Sequence, residues 1–314
     1  MTASRCVLFA YHTFGARALE ALLARDEPVV AVVTHPDDPG EGGWFDSVAA
    51  IAKDHGLPVL TPPSPNTPEV VAALRALEVD VVLSVWYRRL LGPALLRLPR
   101  IAALNLHGSL LPSYRGRAPL NWVLVNGEGR TGVTLHHMTA EADAGDIVAQ
   151  AAIEIDPEDI ALTLYTRMVK VGVDLLLEWY PAVVAGTAPR RPQDAARASV
   201  YGRRRPEDGR VEWAWPARRI ANMIRAVTHP FPGAFVGDGA ARLHLWVSVA
   251  LDATSAAPPG TLLEVRPGHG VAVATGGGVV LLTRVQGAGE AEARGDVWAE
   301  HRGLAAGARL GGAS

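Results

Sequence analysis

Along the first part of the chain, short apolar runs alternate with segments of helical periodicity. Cys6–Ala10, Val29–Thr34, Val59–Leu60, Val79–Trp86 and Ile101–His107 predict strands. Ala16–Ala24, Ser47–His55 and Ala118–Val125 predict helices among them. A further helix start is marked by Thr67 as N-cap, Pro68 at the first helical position and Glu69 at the positive end of the dipole. Strands that are apolar throughout and separated by helices imply a sheet buried on both faces. The expected fold is α/β: a Rossmann-like, mostly parallel sheet with helices on both faces, binding its ligands beyond the carboxyl ends of the strands.

Gly132–Met138 and Ile147–Ile155 predict two more strands, and Ile160–Val184 a long amphipathic helix. The composition then shifts. Thr187–Pro206 carries six arginines and three prolines and reads as a linker. A helix over Ala217–Val227 follows, then short strands at Leu243–Ala250, Thr261–Val265, Val271–Ala274 and Val279–Val285, cut by Gly and Pro turns. That spacing predicts a small β-barrel, OB-like, or a sandwich. The expected division is residues 1–188 as one domain, 189–205 as linker, 206–305 as a β-rich domain and 306–314 as a flexible Gly/Ala-rich tail.

Composition changes this picture little. The chain has 314 residues, 49% hydrophobic and 20% charged, which suits ordinary globular domains with cores that need no metal or disulfide support. A formal net charge of −2 offers no global attraction to nucleic acid. The single cysteine, Cys6, lies inside an apolar run and reads as a buried, inert thiol compatible with a reducing compartment. The start lacks a charged and apolar leader pattern, and no apolar stretch reaches the roughly 18 residues of a membrane span. The expectation is a cytoplasmic protein without membrane insertion.

Candidate chemistry sits at the end of the fifth strand. Side chains two apart on a strand share a face, so Asn105 and His107 point the same way at a carboxyl edge. An amide N–H can stabilise a developing oxyanion and an imidazole can move the proton an attacking amine must lose. Taken alone, His107 reads more readily as a histidine that caps a strand end, and Asp143 as a loop residue making an Asx-turn before Gly145. A dinucleotide-binding oxidoreductase is disfavoured, because Gly15 stands alone after the first strand with no G-x-G-x-x-G.

The stretch Asn105-Leu106-His107-Gly108-Ser109-Leu110-Leu111-Pro112, then Arg115-Gly116-Arg117-Ala118-Pro119, then Gly132-Val133-Thr134-Leu135-His136, then Asp143-Ala144-Gly145 resembles the folate-dependent formyltransferase family in motif order and spacing. The resemblance runs from about Val7 to about Leu304. It is nearest to the formyltransferase half of bifunctional polymyxin-resistance proteins, through Phe9-Ala10-Tyr11-His12, Thr34–Glu41, Asn105–Glu128, Tyr201–Arg204 and Pro230–Phe235. It implies Asn105, His107 and Asp143 as the active site, with N10-formyltetrahydrofolate as co-substrate and no metal. Asp143 would orient His107 and stabilise its protonated ring, and Asn105 would stabilise the oxyanion. The implied folate pocket comprises Arg89, Leu90, Leu91, Arg117 and the loop Thr139, Ala140, Glu141, Ala142.

For the acceptor, the resemblance implies a nucleotide-linked amino sugar, foremost UDP-4-amino-4-deoxy-L-arabinose, and with it lipid A modification and polymyxin resistance. The rival is methionyl-tRNA formyltransferase. Where that enzyme carries a basic loop, Pro36–Val48 here holds Asp37, Asp38, Glu41 and Asp46 and no Lys or Arg, which would repel a phosphate backbone. From Arg205 onward 11 arginines face 10 acids, too even a balance for a tRNA-binding domain. Tyr11, His12, Ser109 and Arg115 are candidates for sugar contact by position, and Arg203 and Arg204 for the diphosphate. A folate-binding sensor without turnover is the non-enzymatic alternative; self-association is left open.

Overall fold

The computed structural model of the chain describes residues 4–38 and 43–311. Glu41 of the acidic stretch, and residues 312–314 of the expected tail, lie outside the described residues. The chain divides into two compact units. One runs to Pro119 and includes Arg130–Glu154 and Tyr165–Gly202; the other comprises Leu120–Gly129, Ile155–Leu164 and everything from Arg203.

The first unit opens with β1 (Cys6–Ala10), α1 (His12–Leu23), β2 (Val29–Val33), α2 (Val48–Asp54), β3 (Val59–Leu60), α3 (Pro68–Arg75) and β4 (Val81–Val85). Next along the chain come α4 (Pro93–Leu96), β5 (Ala102–His107), β6 (Arg115–Gly116), α5 (Pro119–Val125), β7 (Arg130–His137), β8 (Ile147–Glu154), α6 (Ala161–Val184) and β9 (Val200–Tyr201), of which α5 from Leu120 and the first turn of α6 to Leu164 belong to the second unit. The seven-stranded sheet has the order β3-β2-β1-β4-β5-β7-β8. Its pairs from β3 to β5 are parallel, while β7 runs antiparallel to both β5 and β8. β1 and β4 are buried at every position, as strands covered on both faces must be.

Alternation sorts the core. Val7 and Phe9 of β1 pack with Ala31, Val33, Val82 and the α3 residues Val70, Val71 and Leu74 on one face. On the other face a Cβ at Gly172 of α6 would meet Phe14 of α1 at 2.2 Å, so only glycine lets helix and ring close there. The start of α3 is as predicted: Thr67 Oγ1 accepts from the Val70 N–H at 3.4 Å, with Pro68 in the first turn. α5 begins one residue later than expected because Ala118 takes φ of 52°, a left-handed conformation outside any helix. Cys6 is fully buried, and that burial pushes its thiol up to about 12.

The segment expected as a linker folds onto the first unit up to Gly202. β9 pairs with β6 in parallel, and the rings of Tyr114 and Tyr201 stack 4.7 Å apart.

The second unit adds α7 (Ala217–Val227), β10 (Ala234–Val236), β11 (Leu243–Leu251), β12 (Leu262–Arg266), β13 (Gly270–Ala274), β14 (Val279–Gly287), β15 (Ala293–Arg294) and α8 (Gly295–His301). These strands form an antiparallel sheet of order β10-β11-β14-β13-β12, with β15 on β14. The unit is antiparallel and β-rich as expected, and no ladder joins β10 to β12 among the described residues. Part of the expected tail is held by hydrogen bonds. Among residues 306–311, Ala308 accepts from the Leu262 N–H, Leu310 donates its N–H to Gly260, and the Trp213 indole donates to the Leu310 carbonyl. Leu310 is buried, which gives this Gly/Ala-rich end an apolar anchor that its composition hides. No described helix is long and apolar enough to cross a membrane.

Candidate active site

β5 carries Asn105 and His107 on one face, as its period of two requires. The β5–β7 register sets Asn105 opposite His136 and His107 opposite Thr134. The loop after β7 then brings in Asp143, whose φ of 54° turns the backbone sharply ahead of Gly145. Gly145 itself has no room for a side chain, since a Cβ would meet the His137 carbonyl oxygen at 1.9 Å.

Asp143 is the hub. Its Oδ1 lies 3.2 Å from Asn105 Nδ2, 3.5 Å from His107 Nδ1 and 3.4 Å from His136 Nε2. Its Oδ2 accepts from the Gly116 N–H at 2.9 Å. Burial by itself would raise this carboxyl, but the adjoining His107 and His136 rings and the Gly116 N–H outweigh it and hold the group well below the usual carboxylate range. His107 Nε2 donates to the Tyr114 carbonyl at 2.8 Å. A carbonyl can only accept, so Nε2 carries a proton and Nδ1 faces the carboxylate.

The loop that bears Asp143 is clamped by Gln193. Its amide donates to the carbonyls of Asp143 and Gly145 at 2.8 and 2.7 Å, while its oxygen accepts from the Arg115 guanidinium at 2.8 and 3.1 Å. Neither Gln193 nor His136 stands out as a site residue in the sequence. Gln193 lies in a Pro- and Arg-rich stretch, and His136 has only its alternation with Thr134 to mark its face.

The residues singled out for folate fall into two groups. Arg89, Leu90 and Leu91 follow β4, and Arg117 reaches them by donating to the Arg88 carbonyl at 2.6 Å. Leu91 is buried in the core, but Leu90 is 66% exposed. Thr139, Ala140, Glu141 and Ala142 form the loop that leads into Asp143, and Thr139 Oγ1 donates to the Glu141 carbonyl at 2.9 Å.

The residues expected to touch sugar are mostly enclosed. Tyr11 and His12 are 1% and 5% exposed. The His12 ring stacks on Phe45 at 4.2 Å and hydrogen-bonds the Tyr165 hydroxyl at 2.6 Å. Burial, helped by the Arg88 charge, lowers its pKa to about 3, so it stays neutral. Ser109 is fully buried, with its hydroxyl donating to the Ser113 carbonyl at 2.7 Å. Arg115 is 7% exposed and held by Gln193, with Glu141 3.5 Å from its other guanidinium nitrogen. Arg203 and Arg204 belong to the second unit. There they line a cavity of about 710 Å³ with Trp122, Arg218 and Arg219, the Arg204 guanidinium lying 4.6 Å over the Trp122 ring.

The sheet order reverses between β1 and β4, and an amide, two imidazoles and a carboxylate converge past the carboxyl end of β5, the edge at which α/β sheets bind ligands. The chain belongs to the formyl transferase family. Residues 5–180 match its formyl transferase domain and residues 204–303 its C-terminal domain. Among solved structures, the chain is similar to WlaRD, a sugar 3N-formyl transferase crystallised with dTDP and 5-N-formyl-THF. Identity is 17% and the TM-score 0.68 over 93% of this chain and 100% of that one. The N-formyltransferase from Helicobacter canadensis, complexed with folinic acid and dTDP-3-aminofucose, is 18% identical with a TM-score of 0.68 over 90% of this chain and 99% of that one. HypX from Aquifex aeolicus, complexed with tetrahydrofolic acid, is 18% identical with a TM-score of 0.64 over 96% of this chain and 48% of its own.

Proposed function

We propose that this protein transfers a formyl group from N10-formyltetrahydrofolate to the amine of a nucleotide-linked amino sugar, with Asn105, His107 and Asp143 as catalytic residues. The observation that carries this is the meeting of Asn105 Nδ2 and the His107 and His136 rings within 3.5 Å of one ionised carboxylate oxygen in a chain of the formyl transferase family. Bound folate supplies an electrophilic formyl carbon. The donor amide of Asn105 stabilises the negative charge that builds on the formyl oxygen as the amine adds. The proton lost by the amine is taken at Nδ1 of His107, the nitrogen that faces Asp143, because Nε2 already donates to Tyr114. Asp143 offsets the charge of the resulting imidazolium, and His107 returns the proton to the departing folate nitrogen.

The residues after β4 and before Asp143 fit a folate. Leu90 offers an uncovered apolar face beside the Arg117–Arg88 hydrogen bond, and the 139–142 loop offers backbone groups for a heterocycle. Arg89, Leu90, Leu91, Arg117 and Thr139–Ala142 are the proposed folate contacts. A sugar acceptor is supported by the acidic Asp37, Asp38 and Asp46, and by the nucleotide-sugar ligand of the Helicobacter canadensis enzyme. Within the class we favour UDP-4-amino-4-deoxy-L-arabinose, the substrate of the polymyxin-resistance protein ArnA, whose pathway modifies lipid A. Arg203 and Arg204 remain proposed diphosphate contacts. Tyr11 is enclosed and the polar groups of His12, Ser109 and Arg115 are engaged within the protein, so these four act on the sugar only by shaping the walls around it.

The test incubates the protein with N10-formyltetrahydrofolate and either UDP-4-amino-4-deoxy-L-arabinose, a dTDP-amino sugar or initiator methionyl-tRNA, and follows the gain of one formyl group by mass spectrometry. A formylated sugar that disappears in His107→Ala is the expected result. A formylated tRNA moves the acceptor to the rival class. Folate binding without product from any acceptor favours a sensor.

A further inference from the structure

Gln193 sits on the arm between α6 and β9, and the backbone pins that arm on both sides of it. Before Gln193, Arg191 exchanges both backbone hydrogen bonds with Ile147 of β8, at 2.8 and 3.0 Å. After it, the Ser199 carbonyl accepts from the Arg115 N–H at 2.8 Å, where β9 begins its pairing with β6. The side chain is thereby set between the Arg115 guanidinium and the turn that carries Asp143.

Its partners fix which way round the amide stands. A guanidinium can only donate and a backbone carbonyl can only accept, so Oε1 faces Arg115 and Nε2 faces the carbonyls of Asp143 and Gly145. These bonds use the whole amide. Both hydrogens of Nε2 are donated, at 2.8 and 2.7 Å, and both lone pairs of Oε1 accept, from Arg115 Nη2 at 2.8 Å and Nε at 3.1 Å. Glutamate at this place keeps the bonds to Arg115 but turns a charged oxygen on two carbonyl oxygens. Methionine has a similar length and can make neither set.

The two carbonyls flank Ala144 in a turn that Asp143 enters at φ of 54°, a conformation that a residue with a Cβ holds only where its surroundings impose it. The carboxylate of the same residue has Oδ1 3.5 Å from His107 Nδ1 and Oδ2 2.9 Å from the Gly116 nitrogen. We infer that Gln193 is a positioning residue: by tying the carbonyls of Asp143 and Gly145 to Arg115 it sets the Asp143 carboxylate against His107. This rests on the proposed role of Asp143 in offsetting the imidazolium. Without the two N–H donors the turn relaxes and carries the carboxylate away from the ring whose charge it must meet in the transition state.

Two measurements test this. In both Gln193→Glu and Gln193→Met, kcat is expected to fall about 10–100-fold while KM for folate and for sugar changes by less than about threefold, since an alignment felt in the transition state is lost. A wild-type kcat in either variant overturns the inference, and so does a rise in KM alone. In an Asp143→Asn background, Gln193→Met should lower the residual kcat by less than about threefold, because its target is already gone. A further loss as large as in the wild type overturns the inference and marks Gln193 as a support of the fold at large. The second measurement needs no turnover. In protein labelled with ¹³C-aspartate, the Asp143 carboxyl carbon is assigned as the signal missing from Asp143→Asn. Burial raises this carboxyl, and the His107 and His136 rings and the Gly116 N–H outweigh it. As those contacts lengthen, burial prevails, so the Asp143 signal should titrate at higher pH in Gln193→Met than in the wild type. The same titration in both proteins overturns the inference. If the wild type formylates none of the acceptors, the proposed function fails, and the titration still decides whether Gln193 holds Asp143.

Discussion

His12 shows how a single side chain can be placed by its motif and used by the fold for something else. It follows β1 at the carboxyl edge, where a ligand contact is expected, yet its ring is packed against Phe45 and bonded to Tyr165. Its φ of 66° is a conformation that costs a residue with a Cβ about 1–3 kcal/mol, sustained by that packing. The consequence is a pH dependence. In the unfolded chain His12 binds a proton near its ordinary 6.5, whereas in the folded chain it does so only near 3. The unfolded state therefore holds more protons in that window, and stability falls as pH drops through it. The melting temperature should decline more steeply from pH 7 to pH 5 in the wild type than in His12→Gln. Parallel slopes for the two proteins would show that His12 is not the group responsible.

Elements in the first unit follow their local signals closely where the signal is a period or a cap. α3 begins at its Thr67–Pro68 marker, and β1 is apolar and buried throughout. Contacts across elements follow other rules. Gly172 reads as a weak point in the long helix α6, and replacing it with alanine should gain about 1 kcal/mol of helix propensity. The fold reverses that sign. The added Cβ would lie 2.2 Å from the Phe14 ring, which is fully buried and has nowhere to move. Gly172→Ala should thus destabilise by about 1–3 kcal/mol in denaturant unfolding. A variant as stable as the wild type would mean that α1 and α6 can separate at no cost. The same logic explains Gln193, whose stretch looks like a solvated connector but ties the Asp143 loop to Arg115.

At the scale of the molecule, one thiol reports on the whole first unit. Cys6 is the only cysteine, lies on a strand in the interior of the sheet, and its burial raises the thiol to about 12. Neither access nor thiolate is available until β1 leaves the sheet. Labelling by a thiol reagent at neutral pH should therefore proceed at the rate of opening of this unit and accelerate with denaturant. Rapid labelling of the native protein would show that β1 opens locally.

The sequence by itself determined the α/β class of the first unit, the antiparallel β character of the second, and the positions of Asn105, His107 and Asp143. These depend on periodicities and motifs that span a few residues, and such patterns survive in the linear order. Only the tertiary structure decided that β7 and β8 turn antiparallel, that Leu120–Gly129 and Ile155–Leu164 group with the C-terminal unit, and that residues 306–311 dock on strand-bearing neighbours. It alone set His136 against Asn105, because a strand's own pattern fixes which face a side chain takes but not which residue of another strand it meets. Register is chosen by pairing across the sheet, between residues 31 apart in the chain. No local window contains that information.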